Sequence, residues 1–230
     1  MKIHGLQKMT LLDFPGRVAC TVFFGGCDMR CPFCHNAELL DGTAPAIMDD
    51  EELLAFLKKR QGLLDGVALT GGEPLLQKDL PELTAKIRDL GYPVKLDTNG
   101  MHPERLERMM KEGLVQYVAM DIKNSPERYA ETAGLPEMDL IPVLESVSLL
   151  MNGKTNYEFR TTVVAELHDD QSFEQIGQWI RGAKHYYLQK FTDRDTVPFE
   201  GLHAPTDEQM RKWTEILRPD IPAVELRGLE

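Results

Sequence analysis

The chain has no apolar run long enough to cross a bilayer, so no membrane-spanning helix is expected. Met1-Lys2-Ile3-His4-Gly5 is not followed by the hydrophobic region of a secretory leader. Positive charge is in deficit: 26 Lys and Arg stand against 37 Asp and Glu, a net charge of −11. That balance argues against a nucleic-acid backbone as the main partner. Cysteine is scarce, with four in 230 residues and three of them clustered, which excludes a disulfide scaffold and makes a reducing cytoplasm the expected home. Internal repeats, low-complexity tracts and linkers are also missing, so residues 1–230 are expected to form one domain, with a core over about 17–191 and a helical tail over 192–230. What remains, 42% hydrophobic and 27% charged residues, is the composition of an ordinary globular protein.

The clustered thiols are Cys27, Cys31 and Cys34, which follow the apolar run Val18 to Phe24 and the turn Gly25-Gly26. Thiolates are soft ligands suited to zinc or iron–sulfur clusters. A structural zinc site normally takes four protein ligands, and no cysteine follows Cys34. Three thiolates on a [4Fe–4S] cube leave one iron open for another ligand. The spacing, with Phe33 just before the last cysteine, resembles the signature of radical S-adenosylmethionine enzymes. A zinc-stabilised binding module without catalysis is the competing reading. Cys20 lies in an apolar, β-branched stretch and reads as a buried free thiol.

Hydrophobic periodicity places strands over about 17–24, 66–70, 94–96, 115–120, 157–164 and 185–191, with a last short one near 223–226. Helical patterns separate them. Asp49 or Asp50 caps the helix of Leu53, Phe56 and Leu57, and Pro103 opens that of Leu106 and Met109. Thr206 with Gln209 boxes a final helix carrying Met210, Trp213 and Leu217. Strands alternating with helices call for a parallel sheet with helices outside, an α/β fold that curls into an open or closed barrel. The polar connection from Asn124 to Met138 is long enough to be functional.

Ligands in such folds bind at the C-terminal ends of the strands. The cysteines follow strand one, Gly71-Gly72-Glu73-Pro74 strand two, Asp97-Thr98-Asn99 strand three and Asp121-Ile122-Lys123 strand four. Singly, Gly-Gly-Glu-Pro reads as a tight turn and Asp121 with Lys123 as an exposed charge pair; on one rim they converge. S-adenosylmethionine would chelate the open iron through its amino and carboxylate groups. Backbone freed by Gly71 and Gly72 would approach its methionine end, Glu73 would accept from its ammonium, and Lys123 or Arg160 would meet its carboxylate or ribose. Phe33 would offer a surface to the adenine. His35, adjacent to Cys34, suits a structural or adenine-edge role better than ligation.

Cys-x-x-x-Cys-x-Phe-Cys-His-Asn, Thr70-Gly-Gly-Glu-Pro, Asp97-Thr-Asn-Gly and Asp121-Ile-Lys resemble, in order and spacing, the motifs of glycyl-radical-enzyme activating enzymes. The resemblance covers about Ile3 to Phe191 and implies a partial, TIM-like (β/α)6 barrel. The opening Asp13-Phe14-Pro15-Gly16-Arg17 and Phe24-Gly25-Gly26-Cys27 are similar to the activating proteins of anaerobic ribonucleoside-triphosphate reductase; the pyruvate formate-lyase-activating enzymes have Asp-Gly-Pro-Gly instead. Several roles follow from the resemblance alone. Asp13 and Arg17 would hold the partner's glycine loop, though a capped turn entering the first strand explains them as well. A monovalent cation would be bound by Asp97, Thr98, Asp121 and the carbonyl of Ala119. Gln189 or Phe191 would meet the adenine. The implied function is installation of a glycyl radical on a partner enzyme, with flavodoxin as a typical electron donor. A pyruvate formate-lyase-like partner, or a small molecule such as a deazapurine precursor, is the alternative substrate. Between Asn36 and Gly71 there is no cysteine, so one cluster is expected.

Overall fold

The computed structural model describes residues 1–228. In chain order the elements are β1 (Lys2–Ile3), β2 (Gly5–Thr10), β3 (Ala19–Phe24), β4 (Met48–Asp49), α1 (Asp50–Lys59), β5 (Gly66–Gly71), α2 (Leu80–Asp89), β6 (Val94–Thr98) and α3 (Pro103–Lys111). They continue with β7 (Tyr117–Asp121), α4 (Tyr129–Thr132), α5 (Ile141–Asn152), β8 (Asn156–Val163), α6 (Asp170–Trp179), β9 (Tyr186–Lys190), α7 (Asp207–Leu217) and β10 (Val224–Arg227). Eight strands form one sheet in the order β10-β9-β8-β7-β6-β5-β3-β2, while β1 pairs with β4 apart from it. From β3 to β10 every neighbouring pair is parallel; β2 alone is antiparallel, against β3. The result is a partial TIM-like barrel of parallel strands with helices outside, left open because β2 and β10 are end strands that do not pair with each other.

Two local rules account for three of the helix starts. Asp49, not Asp50, caps α1 in a reciprocal box with Glu52, and Thr206 does the same for α7 with Gln209. Pro103 occupies the first turn of α3. The sheet, however, reaches past both ends of the 17–191 stretch. The tail contributes β10 as well as α7, and the N-terminal segment contributes β2, which the sequence pattern did not announce. The reason is visible in its exposure: Gln7, Lys8 and Met9 are all exposed, so an edge strand with little to bury carries no apolar alternation.

Side-chain alternation divides the sheet into two faces. Val67, Leu69, Val94, Leu96, Val118, Met120, Tyr157, Phe159, Tyr186 and Leu188 are buried together with the inward sides of the helices. The opposite positions, in register across the strands, are Thr21, Ala68, Lys95 and Tyr117 in one layer and Asp97, Ala119 and Glu158 in the next. A closed eight-stranded barrel fills this inner space with branched apolar side chains. Here most of it is lined by polar and charged side chains.

Candidate active site

A cavity of about 230 Å³ opens where the sequence placed the rim, at the C-terminal ends of β3 and β5 to β9. Cys27, Cys31 and Cys34 line one wall with Phe33 and His35; Gly71 and Gly72 form the edge beside them. Asp97, Thr98, Asp121, Lys123, Arg160 and Gln189 make the facing wall. Thirteen of the residues singled out from sequence, drawn from six separate stretches of chain, therefore meet at one opening.

The cysteine loop is held from both sides by backbone hydrogen bonds. Gly26 and Cys27 N–H groups donate to the carbonyls of Leu39 and Leu40, and the Arg30 N–H donates to the Ala133 carbonyl at 2.9 Å. The Asn124 to Met138 connection thus buttresses the loop, and Gly134 is what allows the approach. Its φ is +70°, and a Cβ there would sit 1.9 Å from the Arg30 carbonyl oxygen. Behind Cys27 lies a polar group that sequence reading missed. The Met29 N–H donates to Cys27 Sγ at 3.4 Å, and Asn99 Nδ2 points at the same sulfur from 3.8 Å. Asn99 also donates to Asp28 Oδ1 at 2.6 Å, and Asp28 Oδ2 pairs with His102 Nε2 at 2.8 Å. Asn99 stood within the Asp-Thr-Asn-Gly motif, but no local signal linked it to Asp28 or His102.

The facing wall is an ion network. Arg160 Nη1 donates to Asp97 Oδ2 at 3.2 Å and, through Nε and Nη2, to Asp121 Oδ1 at 3.1 and 2.9 Å. Lys123 Nζ donates to Asp121 Oδ2 at 3.0 Å, and Lys95 Nζ to Asp97 Oδ1. Burial works to raise the Asp121 carboxyl, yet the charges of Lys123 and Arg160 together outweigh it and hold the group down at about 2. The Lys123 ammonium also lies 6.0 Å from the centre of the Phe33 ring, a cation–π distance.

Several expected roles need correction. Glu73 is fully buried and does not line the cavity. Its Oε1 accepts from Leu75 N–H and the Thr98 hydroxyl, both at 3.0 Å, and its Oε2 from Asn99 N–H at 2.7 Å. It clamps the ends of β5 and β6 and is not presented to a ligand ammonium; burial pushes it up to about 7 despite these donors. Gly71 and Gly72 are needed for chain-on-chain approach: a Cβ would lie 2.2 Å from the Phe24 oxygen or 2.1 Å from the Gly26 oxygen. Gln189 reaches the cavity, whereas buried Phe191 stacks on His35 with ring centres 5.8 Å apart. His35 Nε2 bonds the Thr192 carbonyl at 2.7 Å, the structural role. Asp13 and Arg17 part company. Asp13 Oδ2 accepts from the inner-face Thr21 hydroxyl at 2.6 Å, while Arg17 lies over Phe14 and reaches the Asp65 carbonyl at the outer base.

The donor set fits an iron–sulfur cube better than zinc. Three thiols share a cavity wall, and His35, the neighbour that might have supplied a fourth ligand, is turned to Thr192. Among the described residues no three His, Cys, Asp or Glu side chains gather as ligands of a single ion; a cube takes each thiolate at a separate iron. As free thiols all three are pushed up by burial, Cys27 to about 12, so metal binding must displace their protons. The charged wall facing them fits the amino-acid end of S-adenosylmethionine. A monovalent cation does not fit, because every oxygen of Asp97 and Asp121 already faces a side-chain cation and Thr98 is bonded to Glu73.

Residues 21–180 match the radical SAM superfamily model. MJ1227 of Methanocaldococcus jannaschii, which carries the name of a glycyl-radical enzyme activating enzyme, is 30% identical over 99% of this chain and 96% of its own length. A pyruvate formate-lyase-activating enzyme of Listeria monocytogenes is 25% identical over 94% of this chain and 95% of its own. Among solved structures, Streptococcus suis SuiB bound to its precursor peptide SuiA superposes with a TM-score of 0.73 at 12% identity, covering 91% of this chain and 48% of that one. That likeness supports the fold alone. Enzymes of the superfamily use a [4Fe–4S] cluster and S-adenosylmethionine. The chain belongs to the radical S-adenosylmethionine superfamily and, within it, to the glycyl-radical enzyme activating enzymes.

Proposed function

We propose that this activating enzyme installs a glycyl radical on an anaerobic ribonucleoside-triphosphate reductase. The observation that carries the reading is the open side of the sheet, between β2 and β10, leading to a polar inner face with Asp13 at its base. A small-molecule site is normally an enclosed pocket with a few placed polar groups; a glycine loop needs a groove it can enter. The Asp13-Phe14-Pro15-Gly16 turn, which differs from the Asp-Gly-Pro-Gly of pyruvate formate-lyase-activating enzymes, favours the reductase over a lyase partner.

When bound, the reduced cluster and S-adenosylmethionine supply one-electron cleavage of the sulfonium and, with it, hydrogen abstraction from a glycine Cα. The protein's own part is to hold, orient and exclude water. Cys27, Cys31 and Cys34 hold the cluster as thiolates, and the Met29 N–H and Asn99 amide soften the charge on Cys27. Lys123 and Arg160 receive the cofactor's carboxylate, Phe33 and Gln189 its adenosine end, and Asp13 fixes the incoming glycine loop by accepting from its backbone N–H. Asp97 and Asp121 act indirectly, by positioning Arg160 and Lys123, and Thr98 by holding Glu73 between β5 and β6. No general acid or base is assigned. A flavodoxin-type donor in a reducing cytoplasm completes the scheme.

The test is anaerobic reconstitution with iron and sulfide, followed by reduction with S-adenosylmethionine and either an anaerobic ribonucleotide reductase or a pyruvate formate-lyase. A doublet glycyl-radical resonance on the reductase is expected. The same signal on the lyase alone would reassign the partner, and cofactor cleavage with neither would redirect the search to a small molecule.

A further inference from the structure

Lys95 is a buried charge that no cofactor role assigned above uses. It lies mid-strand in β6 on the inner face, 2% exposed, with Asp97 as its ion-pair partner. Burying an ammonium is costly unless it is compensated, and such groups are rarely kept for stability alone. Around it the charges can be counted: Lys95, Arg160, Lys123 and Arg227 are positive, and Asp97, Asp121 and Glu158 negative. Four against three leaves one positive charge, enough to meet a single carboxylate. A free metal ion added among them would bring a fifth cation into a space where no oxygen of the aspartate pair lacks a partner.

We propose that the Lys95 ammonium is a built-in counter-cation for Asp97, so that this chain holds S-adenosylmethionine without a bound potassium or sodium ion. Lys95 is a positioning residue. By neutralising Asp97 Oδ1 from below, it leaves Arg160 shared between Asp97 and Asp121 and Lys123 directed at Asp121, the arrangement that presents both cations to the cofactor's carboxylate. The inference rests on the superfamily's cofactor and is independent of which partner receives the radical.

The decisive measurement is S-adenosylmethionine affinity of the anaerobically reconstituted holoprotein, by calorimetry, in choline chloride and in potassium or sodium chloride at equal ionic strength. The wild type should change by less than about twofold between these salts, and thallium(I), a potassium probe, should give no bound resonance in its nuclear magnetic resonance spectrum. Lys95→Met should bind the cofactor about tenfold more weakly in choline, recover with potassium, and acquire a bound thallium signal. Lys95→Arg, which keeps the charge, should stay indifferent to salt. A wild-type affinity that rises about tenfold on adding potassium, or a wild-type thallium signal lost in Asp97→Asn, would overturn the proposal. Because the wild-type measurement decides by itself, misfolding of Lys95→Met would not blunt the test.

Discussion

The two faces of the sheet share a backbone and differ in everything else. Phe159 and Arg160 are neighbours on β8; one is fully buried against the helices, the other joins Asp97 to Asp121 across β7. On the helix-packed face, position after position is a branched aliphatic or aromatic side chain whose job is burial. On the inner face the same strands carry Lys95, Asp97, Tyr117, Glu158 and Arg160, tied to one another and, through Arg227, to β10. An apolar inner wall would have stabilised the barrel more cheaply. That the chain keeps charge there locates chemistry on that face and leaves stability to the other.

Substitutions should separate the two faces cleanly. The largest effect is expected at the mouth of the inner face: Cys27→Ser, Cys31→Ser or Cys34→Ser should abolish the visible cluster absorbance and S-adenosylmethionine cleavage together. On the opposite face Phe159→Ala should cost about 3–5 kcal/mol in urea unfolding. Its inner-face counterpart Gln189→Ala should shift stability by no more than about 0.5 kcal/mol while weakening cofactor binding about tenfold. If Gln189→Ala were the more destabilising of the two, the division of labour would be wrong. Gly134→Ala should fall between them, costing about 1–3 kcal/mol through its positive φ and its contact with Arg30, and lowering the iron retained after gel filtration. The smallest effect is confined to acid. Because Asp121 is held at about 2, below its ordinary 3.8, its contribution is present above pH 4 and is lost as pH falls towards 2. In cluster-free protein Asp121→Asn should flatten that acid limb of the stability curve and leave its slope near neutrality unchanged.

Legibility from the sequence followed the range of the interactions. Capping boxes, helix-starting prolines and strand alternation depend on residues a few positions apart, and these elements were placed to within a few residues. β2 was missed because an exposed edge strand has little burial to announce it. Glu73 was misread because its partners, Thr98 and Asn99, lie on the next strand; the motif located the residue, but only β5–β6 packing revealed that its carboxylate is turned inward. Asp28 and His102 were passed over for the same reason, since nothing local joins them to Cys27.

Taken by itself, the sequence determined the parallel α/β architecture, the cluster of three thiols and the rim on which the motifs meet, because hydrophobic periodicity and cysteine spacing are properties of neighbouring residues. The tertiary structure decided how those residues are used. It turned Glu73 and Phe191 away from the cavity and brought Asn99 to Cys27. It parted Asp13 from Arg17 and gave Asp97 an ammonium as its companion. Those outcomes depend on which charges the curled sheet brings within a few ångströms of one another, and electrostatics at that distance are set by the fold.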